Sequence, residues 1–220
     1  MNFADSFFRS TSSRKVVFKL GQRVLAESLR SLAEHQGSLA SLQQSVDAYR
    51  AALQLGNDES MVRGETLNNF GIVLSMLAHA ERKTALAEEA VKALEEALTT
   101  RTRAAVPIGW ATTNENLGNA LSVIGEIGRS PIKLYQAIDA YKNALEVLDK
   151  KKQRWQWAST KHNLANANFL IGQLEGNRDK LETSIALYQE ALKARAIYPA
   201  AFAQTQQSLK MAREVLARLR

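Results

Sequence analysis

The sequence predicts an all-α fold: an α-solenoid of antiparallel helix hairpins, four deep, closed by a C-terminal capping helix. Composition, an internal repeat and helical periodicity each point there. Ala, Leu, Glu, Lys, Arg and Gln, all good helix formers, dominate the 220 residues, with only 3 prolines and 11 glycines among them. The chain also repeats itself. Trp110-Ala111 recurs as Trp157-Ala158, and 157 − 110 = 47. Thr113, Asn116, Leu117, Asn119, Ala120, Ile124 and Gly125 recur at the same offset as Thr160, Asn163, Leu164, Asn166, Ala167, Ile171 and Gly172. A fixed period of this size marks stacked supersecondary units, because one unit alone cannot bury its apolar face.

Four copies follow one another, at about 16–58, 59–105, 106–152 and 153–199, with a cap over 200–220. The first contains "VLAESLRSLA" (Val24–Ala33) and "SVDAYRAAL" (Ser45–Leu53). The second contains Asn69-Phe70-Gly71 and "AVKALEEAL" (Ala90–Leu98). The third and fourth pair "NENLGNA" with "AIDAYKNAL" and "HNLANAN" with "SIALYQEAL". From the small residue (Ala26, Gly71, Gly118, Ala165) to the closing leucine (Leu53, Leu98, Leu145, Leu192) the separation is constant, as 145 − 118 = 27 illustrates. Within each copy two stripes carry a helical period: Leu117, Leu121 and Ile124, then Leu134, Ile138, Tyr141 and Leu145. "GEIGRSP" (Gly125–Pro131) and "GQLEGNR" (Gly172–Arg178) read as the turns between them. The tail "LKMAREVLARLR" (Leu209–Arg220) begins a fifth copy and reads as the cap.

The net charge of +7 belongs to the ends. Residues 1–23 carry +4 and residues 210–220 carry +3, which leaves the body between them neutral. Docking of the basic ends to nucleic acid or an acidic membrane is therefore the lesser reading, since no continuous basic track is present. Residues 1–15 are expected to form a flexible basic tail, with Thr11-Ser12-Ser13 interrupting any helix. That stretch has no apolar core of a secretory signal, although its Ser- and Arg-rich, acid-poor composition faintly matches an organellar import sequence. A cytoplasmic location is expected.

These motifs resemble the tetratricopeptide-repeat family. Its Leu-Gly, a bulky residue three later, then Ala-x3-Phe/Tyr and a further Ala, read here as Leu117-Gly118, Leu121, Ala137-x3-Tyr141 and Ala144. The family period is about 34 residues, so each helix here is about one turn longer. The resemblance covers about residues 16–220 and is closest to a long-period bacterial variant with Trp-Ala-x-Thr-x-x-Asn-Leu-Gly as its signature. It implies a right-handed solenoid that holds a peptide or helix of another protein on its concave face.

Carried over residue by residue, the resemblance implies groove contacts at Glu65, Asn68, Ile72, Ser75 and Met76 in the second repeat. The third gives Thr112, Glu115, Asn119, Ser122 and Val123; the fourth gives Ser159, His162, Asn166, Phe169 and Leu170. The first gives Leu20, Arg23, Glu27, Arg30 and Ser31. Asn69, Asn116 and Asn163 fall two before the small residue, at the seam between repeats. An amide donates and accepts at once, so these asparagines can either grip a passing backbone or tie one repeat to the next. The seam trio is assigned the tie, and Asn119 and Asn166 the grip. Glu115 and His162 stand where a clamp for an acidic chain end would need cations, which argues against such a clamp. Ile72, Met76, Phe169 and Leu170 make the groove partly apolar instead, suited to an amphipathic helix or apolar anchors.

No catalytic set is legible. The three histidines fall in separate repeats without metal-ligand spacing, and with no cysteine the chain has neither thiol chemistry nor disulfides. Neither cofactor nor metal is expected. The sequence reads as a non-enzymatic scaffold or adaptor, within a larger complex or as a homo-oligomer.

Overall fold

The computed structural model describes residues 11–56 and 60–219, and among these it is all helix and turn, without a strand. Nine helices follow in order: α1 (Thr11–Gln36), α2 (Leu39–Gln54), α3 (Ser60–Glu81), α4 (Thr84–Thr100), α5 (Pro107–Ile127), α6 (Pro131–Leu145), α7 (Arg154–Glu175), α8 (Arg178–Arg195) and α9 (Pro199–Arg218). Each packs on the next, and α3, α5, α7 and α9 also touch in succession.

Local chemistry sets the helix starts. All three prolines open a helix, at Pro107, Pro131 and Pro199, where the missing N–H has no intrahelical partner to lose. Ser38, Ser130 and Asn177 precede α2, α6 and α8, and each side-chain oxygen accepts a first-turn N–H, from Ser41, Lys133 and Lys180. Thr11–Lys15, expected as tail, are instead helical and begin α1. The rest of the expected tail, residues 1–10, lies outside the described residues.

One turn feature repeats with the sequence. Gly37, Arg82, Arg129 and Gly176 all sit at positive φ, between 48° and 65°, and each follows the first helix of a pair. Glycine adopts that conformation freely, whereas a side chain there costs roughly 1 kcal/mol. Replacing the exposed Arg129 by glycine is therefore expected to raise the unfolding midpoint, by about 0.5–1 kcal/mol of stability. Urea denaturation measures it.

The core is a chain of overlapping clusters. One spans α1 to α4 and takes in Ala120 of α5, a second joins α5, α6 and α7, and a third joins α7, α8 and α9. Tyr49, Tyr141 and Tyr188 are its largest fully buried side chains, and Leu94 takes the matching place on α4. Gly118 faces the Tyr141 ring so closely that a Cβ there would stand 2.5 Å from it. Trp110 and Trp157, in phase with the repeat, pack beside Ala111, Ala144 and Leu148.

Candidate functional site

The asparagine-rich helices α3, α5 and α7 carry two polar columns. The first lies one residue after the small residue. Tyr141 donates its hydroxyl to Asn119 Oδ1 at 2.8 Å, and Tyr188 donates to Asn166 Oδ1 at 2.5 Å. Tyr49 donates to Glu27 Oε2 at 2.8 Å. All three pairs are 22 positions apart. In the second repeat the same two positions are Ile72 and Leu94, so hydroxyl and acceptor are absent together. A buried hydroxyl needs a partner, and an apolar pair needs none. Asn119 and Asn166 thus have an intramolecular role; each keeps its Nδ2 donors without a partner among the described residues.

The second column lies three before the small residue and reaches into the following repeat. Arg23 approaches Glu65 at 3.7 Å. Asn68 Oδ1 accepts from Asn116 Nδ2 at 3.1 Å. Glu115 lies against Thr160 and Gln156 of α7, whose hydroxyl and amide donate to Gln156 O and Thr112 Oγ1. His162 Nδ1 lies 3.1 Å from Thr205 Oγ1 of α9. The four side chains differ, yet each reaches from one first helix to the next. Asn163 Nδ2 bonds Asn119 Oδ1 at 3.0 Å, whereas its counterpart Asn116 turns to Asn68. Position 72 is isoleucine and cannot accept.

Asn114 makes a polar tie within its own repeat. It is buried, donates to Trp110 O at 3.0 Å and accepts from Asn143 of α6 at 3.3 Å. Forty-seven positions on, the same pair is Lys161 with Glu190 at 2.9 Å, and 190 − 143 = 47.

Five residues assigned to the groove are enclosed: Asn68, Ser75, Glu115, His162 and Phe169 are all at most 9% exposed. Ile72, Met76, Asn119, Ser122 and Asn166 are half-buried, as are Asn69, Asn116 and Asn163. Ser122 spends its hydroxyl on Tyr141 at 3.2 Å.

Enclosure has electrostatic consequences. Burial pushes the Glu115 carboxyl from its ordinary 4.5 up to about 7, against the opposing pull of Thr160, Gln156 and Arg195. Burial, aided by Arg195, pushes His162 from 6.5 down to about 4. The folded chain holds the Glu115 proton more tightly, so that group's contribution is full below pH 4.5 and declines as pH rises to about 7. The folded chain holds the His162 proton less tightly, so its contribution is full above pH 6.5 and declines as pH falls to about 4. The two slopes oppose one another between pH 4.5 and 6.5. Glu115→Gln should give a chain that gains stability relative to the unaltered one as pH rises through that window. His162→Gln should give the reverse tilt. Urea midpoints at a series of pH values test both, and parallel profiles would refute the assignment.

The open part of this face lies over α7. A cavity of about 240 Å³ is lined by Glu126, Asn166, Phe169, Leu170, Tyr188, Ser208 and Met211. A second, of about 310 Å³, is lined by Glu126, Arg129, Leu170, Gln173 and Leu174. They share Glu126 and Leu170 and so adjoin. Asn166, Phe169 and Leu170 are among the positions the resemblance assigned to the groove. Glu126, Ser208 and Met211 were not, because they come from the end of α5 and from the cap. Among the described residues no three of His, Asp and Glu gather as a metal site, and no helix is long and apolar enough to cross a membrane.

No family model and no curated protein matches the chain. Among solved structures, a chain of a "DHF58 filament" is similar at 16% identity and a TM-score of 0.41, covering 92% of this chain and 98% of that one. A likeness this loose carries no argument.

Proposed function

We propose that the chain is a solenoid of four tetratricopeptide-like hairpins with a capping helix, and that it serves as a non-enzymatic scaffold holding a segment of another protein. The repeat reading rests on the coincidence of several periodic features: positive φ after each first helix, a tyrosine–acceptor pair in three repeats, and a polar tie from each first helix to the next. The scaffold reading rests chiefly on one observation, the pair of adjoining cavities over α7. Both are open, and at about 240 and 310 Å³ they lie at or below the lower end of a typical cofactor site, which spans about 300–1,000 Å³ and encloses its ligand. Together they suit two neighbouring side chains of an extended or helical segment. Phe169, Leu170 and Met211 offer apolar walls, while Asn166 Nδ2, Glu126 and Arg129 supply a polar rim, the usual layout of a peptide groove.

A photo-reactive side chain placed at Met211, which is 45% exposed, is expected to trap a partner in cell extract. The same group at the exposed Glu95 of α4 is expected not to trap it. Equal capture from both positions would sink the groove reading.

A further inference from the structure

The two ends of the chain are unlike. At the C-terminal end α9 exposes Lys210, Arg213 and Arg218, a polar face as the end of a helical stack requires. At the other end α1 packs on α2 and touches α3, burying Ala26 and Ala33. Away from those contacts Val17, Leu20, Val24, Leu25 and Leu32 remain between 42% and 58% exposed. Their spacing puts them on one helical face, together with the small, uncharged Gly21, Ser28 and Ser31. Monomeric proteins rarely leave so continuous an apolar face in water.

We infer that this face is covered by α1 of a second copy, the two helices running antiparallel about a two-fold axis. Head-to-tail stacking would press the cations of α9 against hydrocarbon, a costly burial. Pairing like with like avoids that and closes the assembly at two chains. The sequence suits the antiparallel sense. With Val17 of one copy opposite Leu32 of the other, the axis passes between Val24 and Leu25, and Gly21 faces Ser28. Two small residues then meet and let the helices approach. From Arg14 onward, the first half of α1 carries only cations (Arg14, Lys15, Lys19 and Arg23), while the second half carries Glu27 and Glu34 with Arg30. Antiparallel packing sets the cationic half against the half that carries Glu27 and Glu34. Lys19 in the former is buried and donates to Gly56 O of its own chain, and both glutamates also pair with Arg30. With the flanking Val16 and Phe18, the apolar area covered is roughly 600 Å² per copy, about 1,200 Å² for the pair, at the lower edge of specific interfaces.

Sedimentation equilibrium of the full chain at micromolar concentration should give twice the single-chain mass. Val24→Glu, at a position 58% exposed, should raise the dissociation constant at least tenfold while leaving the helical circular-dichroism signal unchanged. The chain has no cysteine, so Val24→Cys should form a covalent dimer on mild oxidation. Leu32→Cys alone should not, but should cross-link to Val17→Cys when the two variants are mixed. A single-chain mass for the unaltered protein would overturn the inference, as would a dimer that survives Val24→Glu. Oligomers that keep growing with concentration would overturn it in favour of head-to-tail stacking. If the unaltered chain is single and removal of residues 1–10 makes it dimerise, those residues are the occupant and the inference fails.

Discussion

Arg195→Ala is expected to be strongly damaging, costing about 3 kcal/mol. Arg195 lies on the last turn of α8 and is 3% exposed. Its Nη1 donates to Thr205 Oγ1 at 2.7 Å and to Ala201 O at 3.3 Å, both on α9. Thr205 in turn contacts His162 of α7, and the guanidinium lies 5.7 Å from the centre of the Trp155 ring. Three helices therefore meet on one side chain. Truncation leaves a cavity and strands the hydrogen-bonding groups around it. Native-state hydrogen exchange should show α9 losing protection first. The cation itself is a poor stabiliser, because Nε is buried without a partner among the described residues and burial lowers the pKa of the group. Arg195→Met, which refills the space and needs no partners, should recover at least half of the loss. If Met is as damaging as Ala, the charge matters more than the packing, and the account of this junction is wrong.

Asn119→Ala should cost about 2 kcal/mol, a fall in melting temperature of roughly 4–8 °C for a protein of this size. It removes at once the acceptor of the fully buried Tyr141 hydroxyl and that of Asn163 Nδ2. Ser122, at 3.2 Å from the hydroxyl, can replace only part of it. In a Tyr141→Phe background the same substitution should cost about half as much, because no hydroxyl remains to be stranded. The second repeat supports this logic: with Ile72 and Leu94 it dispenses with both partners. A residue serving only to grip a ligand would show no such coupling in thermal denaturation.

Much of the fold was legible because it is periodic. Composition and helical period anticipated an all-helical chain, and the stripes through Leu117 and Tyr141 identified buried residues such as Leu121, Leu134 and Ile138. The start of α1 was misjudged, since Thr11-Ser12-Ser13 breaks a helix in the middle but opens one at its end. The groove was harder. The resemblance places Asn68, Glu115 and His162 toward a ligand, yet each reaches across to the first helix of the next repeat. A contact between repeats depends on how closely first helices approach, and a period does not encode that distance. The pairing of Tyr141 with Asn119 left a trace that could be found: wherever the tyrosine gives way to leucine, the acceptor gives way to isoleucine. Arg195 left none, being one cation among 29 Lys and Arg.

The central claim, that the face over α7 holds a segment of another protein, is tested most directly by recovery of partner from cell extract. The comparison is between the unaltered chain and a Met211→Glu/Gln173→Glu variant. Both positions are exposed and line the adjoining cavities beside Glu126, so the added carboxylates should spoil an apolar groove without unfolding the chain. The account predicts at least a tenfold loss of recovered partner at an unchanged melting temperature. Undiminished recovery by the variant would contradict it.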